Sequence, residues 1–172
     1  QMIVKRAQLN KDEIILIYGA TSGVGSAAIQ ISKDLGSKII TTVGNKSKIQ
    51  YAYDMGADYV FLHNDSLINN VKNISKEGVD VVFEHVGQKT WNSSLRLLSR
   101  GGRIVTCGST TGSNVNIDLR HLFMKQQSIL GSTMSDVDSF KSVMNKIYKK
   151  CYNPFVDTIF SFKDIKNAHK RM

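Results

Sequence analysis

The chain has 172 residues, 41% of them hydrophobic, which is enough to bury one core without disulfide or metal staples. Its formal charge of +9 would suit a polyanion, but the lysines are scattered, with only Lys149 and Lys150 adjacent to one another, and no aromatic residues interleave with them as in single-strand readers. No apolar run reaches the roughly 18 residues that cross a bilayer and no charged leader with a small-residue cleavage site precedes the first strand, so neither nucleic acid nor membrane is expected as a partner and a cytoplasmic location is.

The first element is the run from Ile14 to Tyr18, an apolar strand that feeds Gly19-Ala20-Thr21-Ser22-Gly23-Val24-Gly25 and then a helix. A helix start presents unpaired N–H groups and the positive end of the dipole, and glycine admits phosphate oxygens where a Cβ would intrude, so Ser22 to Gly25 can hold a diphosphate. Gly23 permits close backbone approach and Gly25 close packing of helix on sheet. The glycine spacing is not the strict G-x-G-x-x-G, and a plain tight turn is the alternative.

Val24, Ala27, Ala28, Ile31 and Leu35 mark one face of this helix, which Gly36 ends. Lys38 to Val43 reads as a second strand, Lys46 to Met55 as a helix, Tyr59 to Leu62 as a third strand and Leu67 to Ile74 as a crossover helix. Val79 to Glu84 is almost wholly apolar, which fits a central parallel strand. Trp91 to Leu98 is the next helix, Gly101-Gly102 turns the chain, and Arg103 to Cys107 is the fifth strand. A loop from Gly108 to Asn116 and a helical turn at Leu119 to Lys125 lead to a short sixth strand, Ser128 to Gly131. Val137, Phe140, Val143, Met144, Ile147 and Tyr148 recur at helical spacing in Ser135 to Lys150, a stripe expected to be core. Pro154 starts an extended segment through Phe160, and Ser161 to Asp164 matches a capping box at the start of a last helix.

This alternation implies an α/β fold of Rossmann type: a doubly wound, parallel six-stranded sheet in the order 3-2-1-4-5-6, with helices on both faces. Ligands then belong at the carboxyl ends of strands one and four, in a crevice bordered by Tyr18 to Val24, Val43 to Lys48, His85 to Gly87 and Cys107 to Thr111. A NAD site places a carboxylate about 20 residues beyond the glycines. Here that corner reads Gly44-Asn45-Lys46-Ser47-Lys48, with no carboxylate, so NADP is expected over NAD. Exposed first-turn lysines with no ligand are the alternative. Cys107 and Cys151 form no C-x-x-C pair, and His63, His85, His121 and His169 have no ligand spacing, so no metal site is expected.

The glycine turn, Val79-Asp80-Val81-Val82-Phe83-Glu84-His85-Val86-Gly87, Gly101 to Gly108, Ile117 to Arg120 and Leu130-Gly131-Ser132-Thr133-Met134 together resemble the medium-chain dehydrogenase/reductase superfamily, nearest its quinone oxidoreductase and zinc-type alcohol dehydrogenase-like members. The resemblance runs nearly end to end. It implies that residues 1–172 are a single dinucleotide-binding domain, and that the GroES-like catalytic domain, which carries zinc in some branches, is absent from this chain. It assigns Ser22, Gly23, Val24 and Gly25 to the diphosphate, Gly44, Asn45 and Lys48 to the adenosine-ribose phosphate, and His85, Val86 and Gly87 to the ribose and adenine region. Cys107, Gly108 and Ser109, with Gly131 and Ser132, would border the nicotinamide. No catalytic residue is assigned: Cys107 is expected as a small buried hydrophobe and His85 as a polar wall. The resemblance also implies a homodimer through the edge segment Ser128 to Thr133. The implied activity is hydride transfer between NADPH and a carbonyl, quinone or activated alkene, supplied with its substrate through the missing domain. A stand-alone nucleotide-binding module without catalysis is the alternative.

Overall fold

The structure, a computed structural model, describes residues 1–171. Its strands are β1 (Ile14–Ile17), β2 (Lys38–Val43), β3 (Tyr59–Leu62), β4 (Val79–Glu84), β5 (Leu98–Thr106) and β6 (Ser128–Gly131). They form one sheet in the order β3-β2-β1-β4-β5-β6, parallel throughout. The helices are α1 (Gly23–Asp34), α2 (Ile49–Asp54), α3 (Leu67–Ile74), α4 (Trp91–Leu97), α5 (Leu119–Met124), α6 (Val137–Tyr148) and α7 (Ile165–Arg171).

Side chains alternate across each strand, so the apolar strands feed two cores. Ile15, Ile17, Val81 and Phe83 pack with Ile29 of α1, Ala52 of α2 and Ile3 of a π-helical N-terminal turn, Met2–Arg6. On the other face Leu16, Tyr18 and Val82 pack with Val71 of α3 and Leu95 of α4. β1 and β4 are therefore covered on both sides, and their carboxyl ends open together at one edge of the molecule.

Several sequence expectations are corrected. The face that α1 buries is Gly25, Ala28, Ile29 and Ser32. Of the expected stripe only Ala28 is fully buried, because α1 is rotated so that Gly25 and Ile29 face the sheet, with Gly25 at the close contact. Val24, Ala27, Ile31 and Leu35 instead line a groove of about 500 Å³ towards the N-terminal turn and α6. Lys46–Lys48 is a separate 3₁₀ turn before α2. Gly101-Gly102 lies inside β5 and not ahead of it, at a bulge where Gly101 has φ +73 and the pairing with β4 jumps from Val79↔Leu98 to Val81↔Arg103.

The α6 stripe is not core, since Val137 is 65% exposed, Phe140 61% and Tyr148 87%. What holds α6 on α1 is largely polar: Lys146 Nζ and Tyr152 Oη reach the Asp34 carboxylate at 2.9 Å each, and Asn153 N–H donates to Gln30 Oε1. Pro154 to Phe160 forms no strand. The Ser161 hydroxyl accepts from Lys163 N–H, so the turn ahead of α7 is capped one residue earlier than a capping box requires.

Candidate functional site

Gly19 turns the chain out of β1 with φ +67, a left-handed conformation that favours glycine. The turn is tied to β2 by Gly19 N–H to Thr42 Oγ1 and Ala20 N–H to the Thr42 carbonyl. Ser22 caps α1: its hydroxyl accepts from Gly25 N–H at 2.9 Å and its carbonyl from Ser26 N–H at 2.9 Å. The N–H groups of Gly23 and Val24 then have no acceptor among the described residues, at the positive end of a 12-residue helix.

The two glycines do different work. A Cβ on Gly25 would lie 2.1 Å from the Gly19 carbonyl oxygen, so this residue is the contact between helix and strand. A Cβ on Gly23 would meet nothing within 4 Å. Free amides at a helix start beside an open Cβ position are the arrangement a diphosphate needs.

Across the crevice, β4 ends at Glu84, which is fully buried. The following residues form the opposite wall. His85 Nε2 lies 2.9 Å from the Tyr18 carbonyl, so that nitrogen is the protonated one and the ring bridges the ends of β1 and β4. A second loop hangs on the first, with Thr110 N–H donating to the His85 carbonyl and Thr111 N–H to the Val86 carbonyl at 2.8 Å.

At the end of β2 a Cβ on Gly44 would meet nothing within 4 Å, and Asn45, Lys46, Ser47 and Lys48 are all exposed. Asn45 Oδ1 accepts from the Ser47 hydroxyl at 2.6 Å. The corner is open and carries two ammonium groups with no carboxylate in its run of residues.

At the far end, beyond β5 and β6, Gly87, Cys107, Gly108, Ser109, Gly131 and Ser132 come together around a cleft of about 560 Å³. Trp91, given only as a helix start by the sequence, supplies part of its wall. Cys107 is exposed, which corrects the expectation of a buried hydrophobe, because β5 ends one residue earlier. Partial burial pushes its thiol up from the usual value, away from the thiolate a nucleophile requires. Among the described residues no three His, Cys, Asp or Glu side chains are grouped as a metal would require, and no helix is long and apolar enough to cross a membrane.

Sequence reasoning missed the polar network behind the wall. Glu84 accepts from Val86 N–H, Gly87 N–H, Thr90 Oγ1 and Ser94 Oγ, and Ser94 Oγ reaches Tyr18 Oη at 3.3 Å. Burial raises the Tyr18 phenol well above its usual value. The available signal was an acid closing a mostly apolar strand, followed by hydroxyls at 90 and 94, four apart on one helical face.

The sequence profile of a family described as zinc-binding dehydrogenase matches residues 23–149. The chain is 32% identical over 134 residues to the quinone oxidoreductase of Homo sapiens, covering 77% of this chain and 40% of that protein. It is 26% identical over 193 residues to the crotonyl-CoA carboxylase/reductase of Cereibacter sphaeroides, covering 98% of this chain and 45% of that protein. A crystal structure of a putative alcohol dehydrogenase from Sinorhizobium meliloti superposes with a TM-score of 0.90 at 30% identity, over 98% of this chain and 47% of that one. A 2-octenoyl-CoA carboxylase reductase in complex with NADP and 2-octenoyl-CoA superposes with a TM-score of 0.79 at 29% identity, over 89% of this chain and 39% of that one. The chain thus spans less than half the length of these relatives.

Proposed function

The chain belongs to the zinc-binding dehydrogenase family of the medium-chain dehydrogenase/reductase superfamily, and from that membership we propose that it is the dinucleotide-binding half of an NADP-dependent oxidoreductase. The carrying observation is the pair of amides on Gly23 and Val24 without an acceptor at the start of α1, beside a Gly23 whose Cβ position is open. A related structure that holds NADP supports the choice of ligand.

Ser22 to Gly25 hold the diphosphate, with Gly23 and Val24 donating their N–H groups. Asn45 and Lys48, beside Gly44, receive the ribose phosphate, where an ammonium gains a charge-assisted hydrogen bond and a carboxylate would repel. His85, Val86 and Gly87 wall the middle of the cofactor, while Cys107, Gly108, Ser109, Gly131 and Ser132 border its nicotinamide end. The bound cofactor supplies hydride chemistry towards a carbonyl, quinone or activated alkene. Relatives named for quinones and for crotonyl-CoA share this half, which supports an electron-poor acceptor. These residues supply the cofactor side of the reaction, and the substrate side belongs to the part of the relatives' length that they do not span.

Calorimetric titration with NADPH and NADH tests the reading, and the absence of binding by both would overturn it. Asn45→Asp with Lys48→Glu is expected to move the NADPH:NADH affinity ratio about tenfold or more towards NADH. An unchanged ratio would remove these residues from the phosphate site.

We further propose a homodimer through the segment Ser128 to Thr133. Ser132 N–H donates to the Thr106 carbonyl, and with Val105 opposite Leu130 this turns the Leu130 amide inward to β5 and the Ile129 and Gly131 groups to the open edge. Arg6 Nε donates to the Gly131 carbonyl at 2.8 Å, leaving Ile129 as the free edge position. Ile129→Pro should give a monomer by light scattering with β5–β6 pairing intact; a dimer that persists would point to another interface.

A further inference from the structure

The least economical feature of the fold is a fully buried carboxylate at the end of its central strand. Completing the sheet at position 84 needs only another apolar residue, and a buried charge is costly unless all its lone pairs are engaged. The Glu84 carboxylate is engaged on both oxygens. Oε1 takes Val86 N–H at 2.7 Å and Gly87 N–H at 3.1 Å, two amides that lie past the end of β4 and have no ladder partner. Oε2 takes Thr90 Oγ1 at 2.8 Å and Ser94 Oγ at 2.7 Å, both from the α4 side.

The Gly87 carbonyl completes the turn by accepting from Thr90 and Trp91 N–H at 3.0 Å each. The loop held in this way carries the second loop, through the His85 and Val86 carbonyls that accept from Thr110 and Thr111. Gln88 N–H then bonds the Gly112 carbonyl, closing the pair. One side chain therefore fixes both loops on the β4–β5 side of the crevice.

We propose that Glu84 is a positioning residue for the nucleotide, acting by pinning the Val86 and Gly87 amides so that the wall of the crevice is formed before the cofactor arrives. This rests on the NADP reading above. It assigns Glu84 no contact with the cofactor and no part in proton transfer; its effect is carried by the loop.

The test is NADPH affinity in the intact protein, by calorimetry and by quenching of the single tryptophan, Trp91, which begins α4 beside the pinned loop. Glu84→Gln keeps an oxygen for the two amides while its NH₂ group faces the hydroxyls, and its affinity should stay within about threefold of the unaltered protein. Glu84→Ala leaves both amides without an acceptor, and its affinity should fall about tenfold or more. A folded Glu84→Ala protein that binds like the unaltered one would overturn the proposal, as would a folded Glu84→Gln protein that loses as much as Glu84→Ala.

If Glu84→Ala does not fold, amide exchange on the unaltered protein decides. Val86 and Gly87 should exchange slowly without NADPH; fast exchange that slows only when NADPH is added would mean that the cofactor orders the loop and the carboxylate does not. Failure of the unaltered protein to bind NADPH would count against the nucleotide reading, and the exchange measurement would still judge the pinning.

Discussion

Gly25→Ala is expected to lower the melting temperature and the affinity for NADPH together. The new methyl carbon would sit 2.1 Å from the Gly19 carbonyl oxygen and 2.9 Å from the Ser22 hydroxyl, so either α1 leaves the sheet or the turn distorts. Backbone atoms cannot swing aside as a side-chain tip can, and the cost is about 3 kcal/mol, at the upper end for overpacking. For a chain of this size that is a fall of about 6 to 12 °C. The same shift misplaces the Gly23 and Val24 amides and turns away the Ser22 hydroxyl that caps the helix. Gly23→Ala is the control: its Cβ meets nothing in the protein, so the melting temperature should hold while the methyl obstructs the ligand and affinity falls. Thermal melts paired with NADPH titrations read both. If Gly23→Ala bound as tightly as the unaltered protein, the diphosphate would not lie over that amide.

Arg103→Met is expected to cost about 3 kcal/mol with NADPH affinity unchanged. The guanidinium pairs with both oxygens of Glu13, at 2.8 and 2.7 Å, and donates to the Ala7 carbonyl and to that of Gln8 at 3.0 Å. It thus staples the N-terminal turn to the start of β1 and to β5, at the end of the strands opposite the crevice. Both partners are largely shielded, with 16% and 25% of their side chains exposed, so removing the cation strands a carboxylate and two carbonyls. Arg103→Lys should not rescue, because an ammonium cannot reproduce the two-pronged contact.

The pair also gives the effect a pH signature. The hydrogen bonds from Arg103 hold the Glu13 carboxyl below its usual 4.5, against the opposing effect of burial. A group whose folded value is depressed stabilises fully above its unfolded value and loses that contribution as pH falls through the folded one. The gap in melting temperature between the unaltered protein and Arg103→Met should therefore be full above about pH 5 and shrink below 4.5. A gap independent of pH down to 3 would mean that the carbonyl contacts alone carry the staple.

The strands were legible because parallel, doubly covered strands are short apolar runs bounded by turn residues: β2, β3, β4 and β6 begin and end where that pattern does. The pattern misled where burial is shared with chain that lies elsewhere. In α6 the periodic stripe is present but faces outward, since periodicity shows that a helix has an apolar side and not what lies against it. In α1 the hydrophobic stripe overlaps the buried face of Gly25, Ala28, Ile29 and Ser32 only at Ala28, because Gly25 and Ser32 carry no hydrophobic signal although the close contact with the turn falls at Gly25.

The residue order by itself determined the strand sequence, the handed crossovers that follow from it, the glycine turn at the mouth of α1 and the lysine corner without an acid, all of them properties of short segments. Only the folded chain decided that Gly25 is the contact between helix and strand while the Gly23 Cβ position is open, that the Leu130 amide faces inward, and that Glu84 accepts from the amides of the loop after β4. Those are relations among atoms far apart along the chain, and hydrogen-bond direction and steric clearance exist only once the strands have been laid side by side.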